Sequence, residues 1–77
     1  MREPKVLDVR PLIAQGIEPF EAIMHAVEEL ADDQDIVIRA PFEPVPLEGV
    51  LSGQGFSYKA VPQEQNGWQV TFTRNTK

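Results

Sequence analysis

One pair of side chains in the sequence has a spacing suited to metal chemistry. Glu21 and His25 are four residues apart, which places two side chains on one face of a helix, and Glu18 precedes them. A carboxylate and an imidazole in this arrangement could bind one divalent ion. Two ligands on an open face rarely make a closed site, so we favour a solvated acidic face with one histidine. We expect no cofactor and keep Glu21 and His25 as weak metal candidates.

A second group of candidates is basic. Arg10, Arg39 and Lys59 could bind an anion if they share one face of a sheet. Asp8 would then lie on the strand beside Arg39, and a cross-strand ion pair between Asp8 and Arg39 explains the same residues. We favour the ion pair.

Aromatic residues in the C-terminal third could stack on nucleic-acid bases. They are Phe56, Tyr58, Trp68 and Phe72. The chain has 12 acidic and 7 basic side chains, a net charge of −5. This balance opposes binding to nucleic acid or to an anionic membrane surface, because both need clustered Lys and Arg. We expect neither partner and assign the aromatic residues to the core, with partial exposure expected first at Trp68.

No catalytic group is evident elsewhere. The sequence contains no cysteine, which excludes a catalytic thiol, a thiolate metal site and a disulfide. With a single histidine in the chain, Ser52 and Ser57 have no evident base nearby in sequence. No glycine-rich phosphate loop is present. We therefore expect that the protein is not an enzyme.

The longest periodic segment is Gly16–Leu30. Its apolar residues recur at helical spacing and are Phe20, Ile23, Met24, Val27, Leu30 and Ala31. Its polar residues occupy the other side and are Glu21, His25, Glu28, Glu29 and Asp32. We predict a helix with Glu18 as N-cap and Pro19 at the first helical position, where a missing N–H costs nothing. Pro11–Ile17 is expected to be a connector before it.

Four segments have the composition of strands. They are Lys5–Arg10, Ile36–Ala40, Phe56–Pro62 and Gly67–Arg74, and Asn66-Gly67 predicts a hairpin between the last two. A second helix is predicted from about Val45 to Gly53, with Leu47, Val50 and Leu51 facing inward.

The order β-α-β-α-β-β predicts an α+β fold. We expect a two-layer α/β sandwich, in which a mixed four-stranded sheet has two helices on one face. The first two strands should be parallel. Residues on the open face would be mostly polar, and they are Asp8, Arg10, Val37, Arg39, Ser57, Lys59, Val61, Gln69, Thr71 and Thr73.

The segment PFEPVPLEG is the best candidate for a binding surface. Its three prolines make it stiff, and Phe42, Val45 and Leu47 could meet a protein partner at low entropic cost. A rigid strand-to-helix connector is the alternative, and we favour it for the segment alone. The candidate surface joins this segment to the start of the first helix. Its residues are Gly16, Ile17, Glu18, Pro19, Phe42, Pro44, Val45 and Pro46.

The length and hydropathy of the chain predict a single small domain. We expect the 77 residues to form one domain, ordered from about residue 5 to residue 74. The sequence contains no run of about 18 apolar residues, so no membrane span is predicted. MREPKV lacks the apolar stretch of a signal peptide. A cytoplasmic protein, monomeric or weakly dimeric, is the expectation.

Several motifs resemble the TusA/SirA-like fold. They are LDVR at Leu7–Arg10, the Glu-Pro pair that opens EPFEAI, the segment APFEPVPL, and the hairpin GFSYKAV…GWQVTFTR. In particular they resemble an uncharacterised domain-of-unknown-function family grouped with that fold. The resemblance covers about Leu7 to Arg74. It implies a TusA/SirA-like fold and no particular activity.

The motif that carries the chemistry of TusA-like sulfur carriers is altered in this chain. The carriers have Cys-Pro-x-Pro at the start of the first helix, where the helix dipole favours a thiolate. The matching residues are Gly16-Ile17-Glu18-Pro19, so glycine stands in the place of the cysteine. The loop after Asp8 is also two residues longer than in the carriers. The resemblance therefore implies a relative that is not itself a persulfide carrier.

Three functions compete at this point. The first is a non-catalytic adaptor domain that binds a protein partner through the candidate surface. The second is an accessory protein in sulfur transfer or redox-metal metabolism that docks a sulfurtransferase or metalloprotein. The third is a weak metal-binding protein that uses Glu21 and His25. We prefer the first.

Overall fold

The structure is a mixed four-stranded sheet with helices packed on one face. A computed structural model describes residues 3–63 and 67–75. The elements in chain order are β1 (Lys5–Asp8), α1 (Arg10–Ala14), α2 (Phe20–Glu28), β2 (Ile36–Ala40), α3 (Val45–Gly53), β3 (Phe56–Gln63) and β4 (Gly67–Arg74). The predicted α+β sandwich is confirmed.

The sheet has the strand order β1-β2-β4-β3. Strands β1 and β2 are parallel, as predicted, with Leu7 opposite Ile38. Strand β4 pairs antiparallel with both β2 and β3. The hairpin prediction is confirmed in its strands, whereas Asn66 lies outside the described residues. Because β2 lies between two neighbours, its residues Ile36 and Ile38 are fully buried.

The core lies between the sheet and the helices. Its buried apolar members are Val9, Ile23, Ala26, Val27, Leu30, Ile36, Ile38, Ala40, Leu47, Leu51, Phe56, Val70 and Phe72. The strand members lie on alternate positions, and the helical members lie on one side of α2 and of α3, as a two-layer arrangement requires. Phe56 and Phe72 are core residues as predicted, and Trp68 is half-buried. Tyr58 is a correction, because it is 46% exposed on the edge strand β3.

The opposite face of the sheet is open. The register places Asp8, Arg39, Gln69 and Val61 in one row across the four strands. Most side chains on this face are polar, so no second helical layer is needed to cover it.

The segment after β1 differs from the prediction. The strand ends at Asp8, and the expected connector contains the short helix α1. Pro11 lies in the first turn of α1, where proline is favoured because its N–H would have no helical partner. Val9 still donates its N–H to the Arg39 carbonyl at 2.9 Å, which keeps its side chain in the core.

The ends of α2 and part of the inward face of α3 also need correction. Helix α2 covers Phe20–Glu28, so it is shorter than the apolar stripe, and its N-cap is Pro19 rather than Glu18. The predicted bounds of α3 are confirmed. Of its predicted inward residues, Leu47 and Leu51 are buried, whereas Val50 is 38% exposed and Glu48 is buried in its place. Across the described residues, no helix combines the length and apolar character needed to span a membrane.

Candidate functional site

An open apolar groove lies where the chain leaves β1 and β2. These strands are parallel, so the segments that follow them meet at one edge of the sheet. The groove has a volume of about 430 Å³. Of the eight residues of the predicted surface, seven line it, and they are Gly16, Ile17, Glu18, Pro19, Phe42, Pro44 and Pro46. Val45 is absent from the lining. The structure thus brings the two predicted segments together, while their binding role stays a prediction.

The first wall of the groove begins at a helix cap. Gly16 has φ 75°, a left-handed conformation that glycine adopts without strain. Its N–H donates to the Ile13 carbonyl, and the Ile17 N–H donates to the Leu12 carbonyl at 2.8 Å. These two bonds form a Schellman motif that ends α1. The turn sends Ile17 and the residues after it along the groove.

The same wall continues into the start of α2. The Glu18 carboxylate accepts a hydrogen bond from the Phe20 N–H at 2.8 Å. The bond satisfies one of the free N–H groups at the helix start, so Glu18 contributes the capping side chain although Pro19 is the N-cap residue. Glu18 therefore has a structural role in the wall that it lines.

The second wall is the proline-rich segment before and within α3. The Glu48 N–H donates to the Pro44 carbonyl at 3.0 Å, and the Val45 N–H donates to the Glu43 carbonyl at 2.9 Å. Pro44 is buried, whereas Phe42 projects into solvent. Because proline fixes φ, the backbone of this wall has little conformational freedom.

Three exposed large apolar side chains lie together at the groove. Phe42 is 53% exposed, Ile17 46% and Phe20 37%, and all three line it. Beneath them the floor is formed by buried core residues, among them Ile38 and Leu47. Grouped exposed apolar residues over a packed floor are typical of an interaction site.

The groove offers little polar chemistry. Among the described residues that line it, Glu18 is the one with a charged side chain. Its carboxylate already holds the Phe20 N–H. The arrangement is suited to binding an apolar group by burial.

A buried carboxyl lies on α3 beside the second wall. Glu48 is 3% exposed, and its Oε2 atom has no hydrogen-bond partner among the described residues. Burial raises the pKa of Glu48, and a side-chain hydrogen bond with Glu43 and the charge of Glu43 raise it further. Glu48 was not among the residues predicted to face inward. The signal was present, since Pro44, Leu47, Glu48 and Leu51 follow the i, i+3, i+4, i+7 spacing of a buried helical face.

The metal candidates lie apart from the groove on the exposed side of α2. His25 Nε2 is 3.3 Å from Glu29 Oε2, one turn along the helix. Glu21 and His25 share a shallow surface with Glu28. Within residues 3–63 and 67–75, no three His, Asp or Glu side chains are grouped so as to hold a metal ion.

The ion pair predicted on the sheet forms with a different partner. Asp8 pairs with Arg10 rather than with Arg39, through Oδ2–Nη2 at 2.7 Å and Oδ1–Nε at 2.9 Å. Arg10 can reach back because it starts α1 instead of extending β1. The hydrogen bond from Arg10 lowers the pKa of Asp8, and Arg39 adds a smaller contribution. Arg39 and Lys59 lie in different rows of the sheet, so the structure does not gather the three cations.

Fold and groove together define a small α+β sandwich domain with an open apolar groove. A family model described as an uncharacterised conserved protein family, DUF2249, matches residues 6–74. The chain belongs to this family. No curated protein and no solved structure matches the chain.

Proposed function

We propose that the protein is a non-catalytic protein-binding domain, an adaptor that acts in the cytoplasm. Its binding site is the groove between the start of α2 and the start of α3. The observation that carries the proposal is the grouping of exposed Ile17, Phe20 and Phe42 around one packed apolar floor. Burying such side chains against a partner contributes about 25 cal/mol per Å² of apolar surface.

Affinity capture with matched variants tests this proposal. The whole chain is immobilised as wild type, as Phe42→Glu and as Val61→Glu. Both substituted side chains are exposed, but Phe42 lines the groove and Val61 lies on β3. Proteins bound by wild type and Val61→Glu should be lost from Phe42→Glu. Retention of the same proteins by all three chains would contradict the proposal, as would binding no greater than that of an unrelated domain.

A second candidate is an accessory role in sulfur transfer. It is favoured by one coincidence: the groove includes Gly16-Ile17-Glu18-Pro19, the residues that match the sulfur-carrier motif. The domain would then dock a sulfurtransferase without carrying sulfur, since the sequence contains no cysteine. Adding the protein to a persulfide-loaded transferase and its acceptor should change the transfer rate. If the transfer rate is unchanged, this candidate function is excluded. The resemblance to the TusA/SirA-like fold then no longer supports a role in sulfur transfer.

A further inference from the structure

We propose that the protein forms a symmetric dimer in which β3 of one copy pairs antiparallel with β3 of a second copy. The two four-stranded sheets then form one continuous sheet, and Tyr58 lies at the two-fold axis. The inference goes beyond the proposed function, because none of the residues that line the groove lies on β3.

The two edges of the sheet differ in length. The strand order places β1 at one edge and β3 at the other. Strand β1 has 4 residues, and so short an edge strand offers few groups to a further strand. Strand β3 has 8 residues and pairs with β4 without a bulge, from Phe56 opposite Arg74 to Gln63 opposite Gly67. The edge with room for another strand is therefore β3.

Alternate backbone groups of β3 point away from β4. The Asn75 N–H donates to the Gly55 carbonyl at 2.8 Å and continues the register of β3 with β4 as a hydrogen-bonded pair. Because such pairs alternate with pairs that share no hydrogen bond, the even-numbered residues of β3 direct their N–H and C=O to the open edge. Pro62 agrees with this assignment, since its missing N–H falls on that edge. The free donors are those of Phe56, Tyr58 and Ala60. In the part of the chain that the structure describes, no other strand lies on this side of β3.

Tyr58 lies on the core side of β3 and is still exposed. It is opposite the fully buried Phe72, with 6.0 Å between the ring centroids. Phe56, two positions earlier on the same side, is buried, whereas Tyr58 is 46% exposed. The alternation of the strand thus assigns Tyr58 to the core, and its exposure results from the end of the sheet beyond β3. A further strand at this edge would extend the core over the ring.

A second copy of β3 is complementary to this edge. When Tyr58 is opposite Tyr58 of the second copy, Phe56 is opposite Ala60, and each free N–H of these three residues meets a free carbonyl. The two Tyr58 rings lie side by side on the core side, where aromatic pairs stabilise a contact. Lys59, the charged residue of β3, is then opposite Ser57, so no like charges are directly opposed.

The neighbouring symmetric registers are less favourable. An axis at Lys59 would place two ammonium groups directly opposite each other. An axis at Ala60 would place Pro62 opposite Tyr58, where the missing N–H leaves a carbonyl of each copy without a donor. Lys59 and Pro62 therefore select the register with Tyr58 at the axis.

Amide hydrogen exchange of the whole chain tests the dimer residue by residue. Between about 10 µM and about 1 mM protein, exchange at the free donors of β3 should slow about tenfold as the dimer forms. The alternate amides already bond to β4 and should change far less. They are those of Ser57, Lys59 and Val61. Sedimentation velocity over the same concentrations should show the monomer converting to a dimer.

Matched variants place the contact on β3. Tyr58→Lys removes the ring pair and opposes two cations at the axis, so it should abolish the dimer. Val61→Lys adds the same charge at a residue of similar exposure, 39%, outside the paired segment and should leave the dimer intact. Ala60→Pro removes an edge N–H without removing a bond to β4 and should weaken the dimer about tenfold or more. Thermal unfolding of dilute samples establishes that each variant folds.

The outcomes separate this dimer from other contacts. A chain that sediments as a monomer at the highest concentration overturns the inference, as does equal loss of the dimer in Tyr58→Lys and Val61→Lys. Self-association that slows exchange at Ile17, Phe20 and Phe42, without the alternation on β3, places the contact at the groove and also overturns it. If Tyr58→Lys does not fold, Ala60→Pro and the exchange pattern of wild type decide the question.

Discussion

The two longer helices begin at the same groove, and each places a glutamate near its first turn in a different environment. Glu18 before α2 lies at the surface, and its carboxylate holds the Phe20 N–H. Glu48 in the first turn of α3 is buried, and its Oε2 atom has no partner among the described residues. Both charges have the sign that the helix dipole favours. The difference shows that α2 is fixed at its start by capping, whereas α3 is fixed by its buried face.

The largest expected effect tests the packing of α3. Leu51 is fully buried, so Leu51→Ala should lower the free energy of unfolding by about 3 kcal/mol. Val50→Ala on the same helix is the control, and it should cost about 0.5 kcal/mol because Val50 is partly exposed. Urea denaturation of both variants measures the difference. Equal losses would contradict the assigned inward face of α3.

The next effect tests the turn that leads into α2. Gly16→Ala forces a side chain into φ 75° and should cost about 1 kcal/mol of stability. Space is not the cause, because a Cβ at Gly16 would meet no heavy atom within 4 Å. Gly53→Ala is a matched control inside α3, also with open space, and it should be stabilising because alanine favours helix. Thermal unfolding compares them, and a Gly16→Ala chain as stable as wild type would remove the strain argument.

A substitution at Glu48 is expected to change stability by a similar amount, but to raise it. The pKa of Glu48 is raised in the fold above the ordinary value of 4.5, so the folded state holds this proton more tightly than the unfolded chain. The stability contributed by the protonated carboxyl is complete below pH 4.5 and is lost as pH rises through the raised pKa. Glu48→Gln should therefore stabilise the protein at neutral pH by about 1 kcal/mol.

The pH dependence of that variant provides its control. Paired carboxylates such as Asp8 and Glu29 have lowered pKa values, because Arg10 and Lys5 respectively bind them. Their protonation destabilises wild type and Glu48→Gln alike at acid pH. The difference between the two chains should shrink from pH 7 to pH 4. If the difference in stability between the two chains stays constant over this range, burial of the Glu48 charge is not the cause of that difference.

The smallest effect is expected at the cap of α2. Glu18→Ala removes the acceptor of the Phe20 N–H and should cost about 0.5 kcal/mol. Glu21→Ala, in the first turn but without that hydrogen bond, is the matched control. Amide hydrogen exchange at Phe20 should accelerate in Glu18→Ala alone. Similar exchange in both variants would show that the capping bond contributes little.

The helices and strands whose apolar residues are regularly spaced could be predicted from the sequence. Helix α3 and strand β2 were predicted with their observed ends, because apolar periodicity and flanking prolines mark both. Helix α1 was missed because it has only five residues, and Pro11 was interpreted as the end of a strand. Arg10 was placed on the sheet for the same reason, which led to the wrong partner for Asp8.

The groove could be predicted in its parts more readily than as a whole. The prolines and apolar residues of the two segments indicated each wall as a candidate binding surface. Their proximity depends on the parallel pairing of β1 with β2, which places both following segments at one edge of the sheet. Glu48 escaped because a charged residue was left out of the apolar stripe of α3. The spacing of Pro44, Leu47 and Leu51 would have identified its buried position.

The parallel pairing of β1 with β2 has a consequence for the order of folding. Lys5 pairs with Ile36, so 31 positions of chain must be closed into a loop before this contact forms. The β3–β4 hairpin joins residues as close as Gln63 and Gly67 and can form early. Nonlocal pairing is slow because loop closure costs entropy before contacts compensate it. The edge strand β1 is thus expected to dock last, and the groove is a late product of folding.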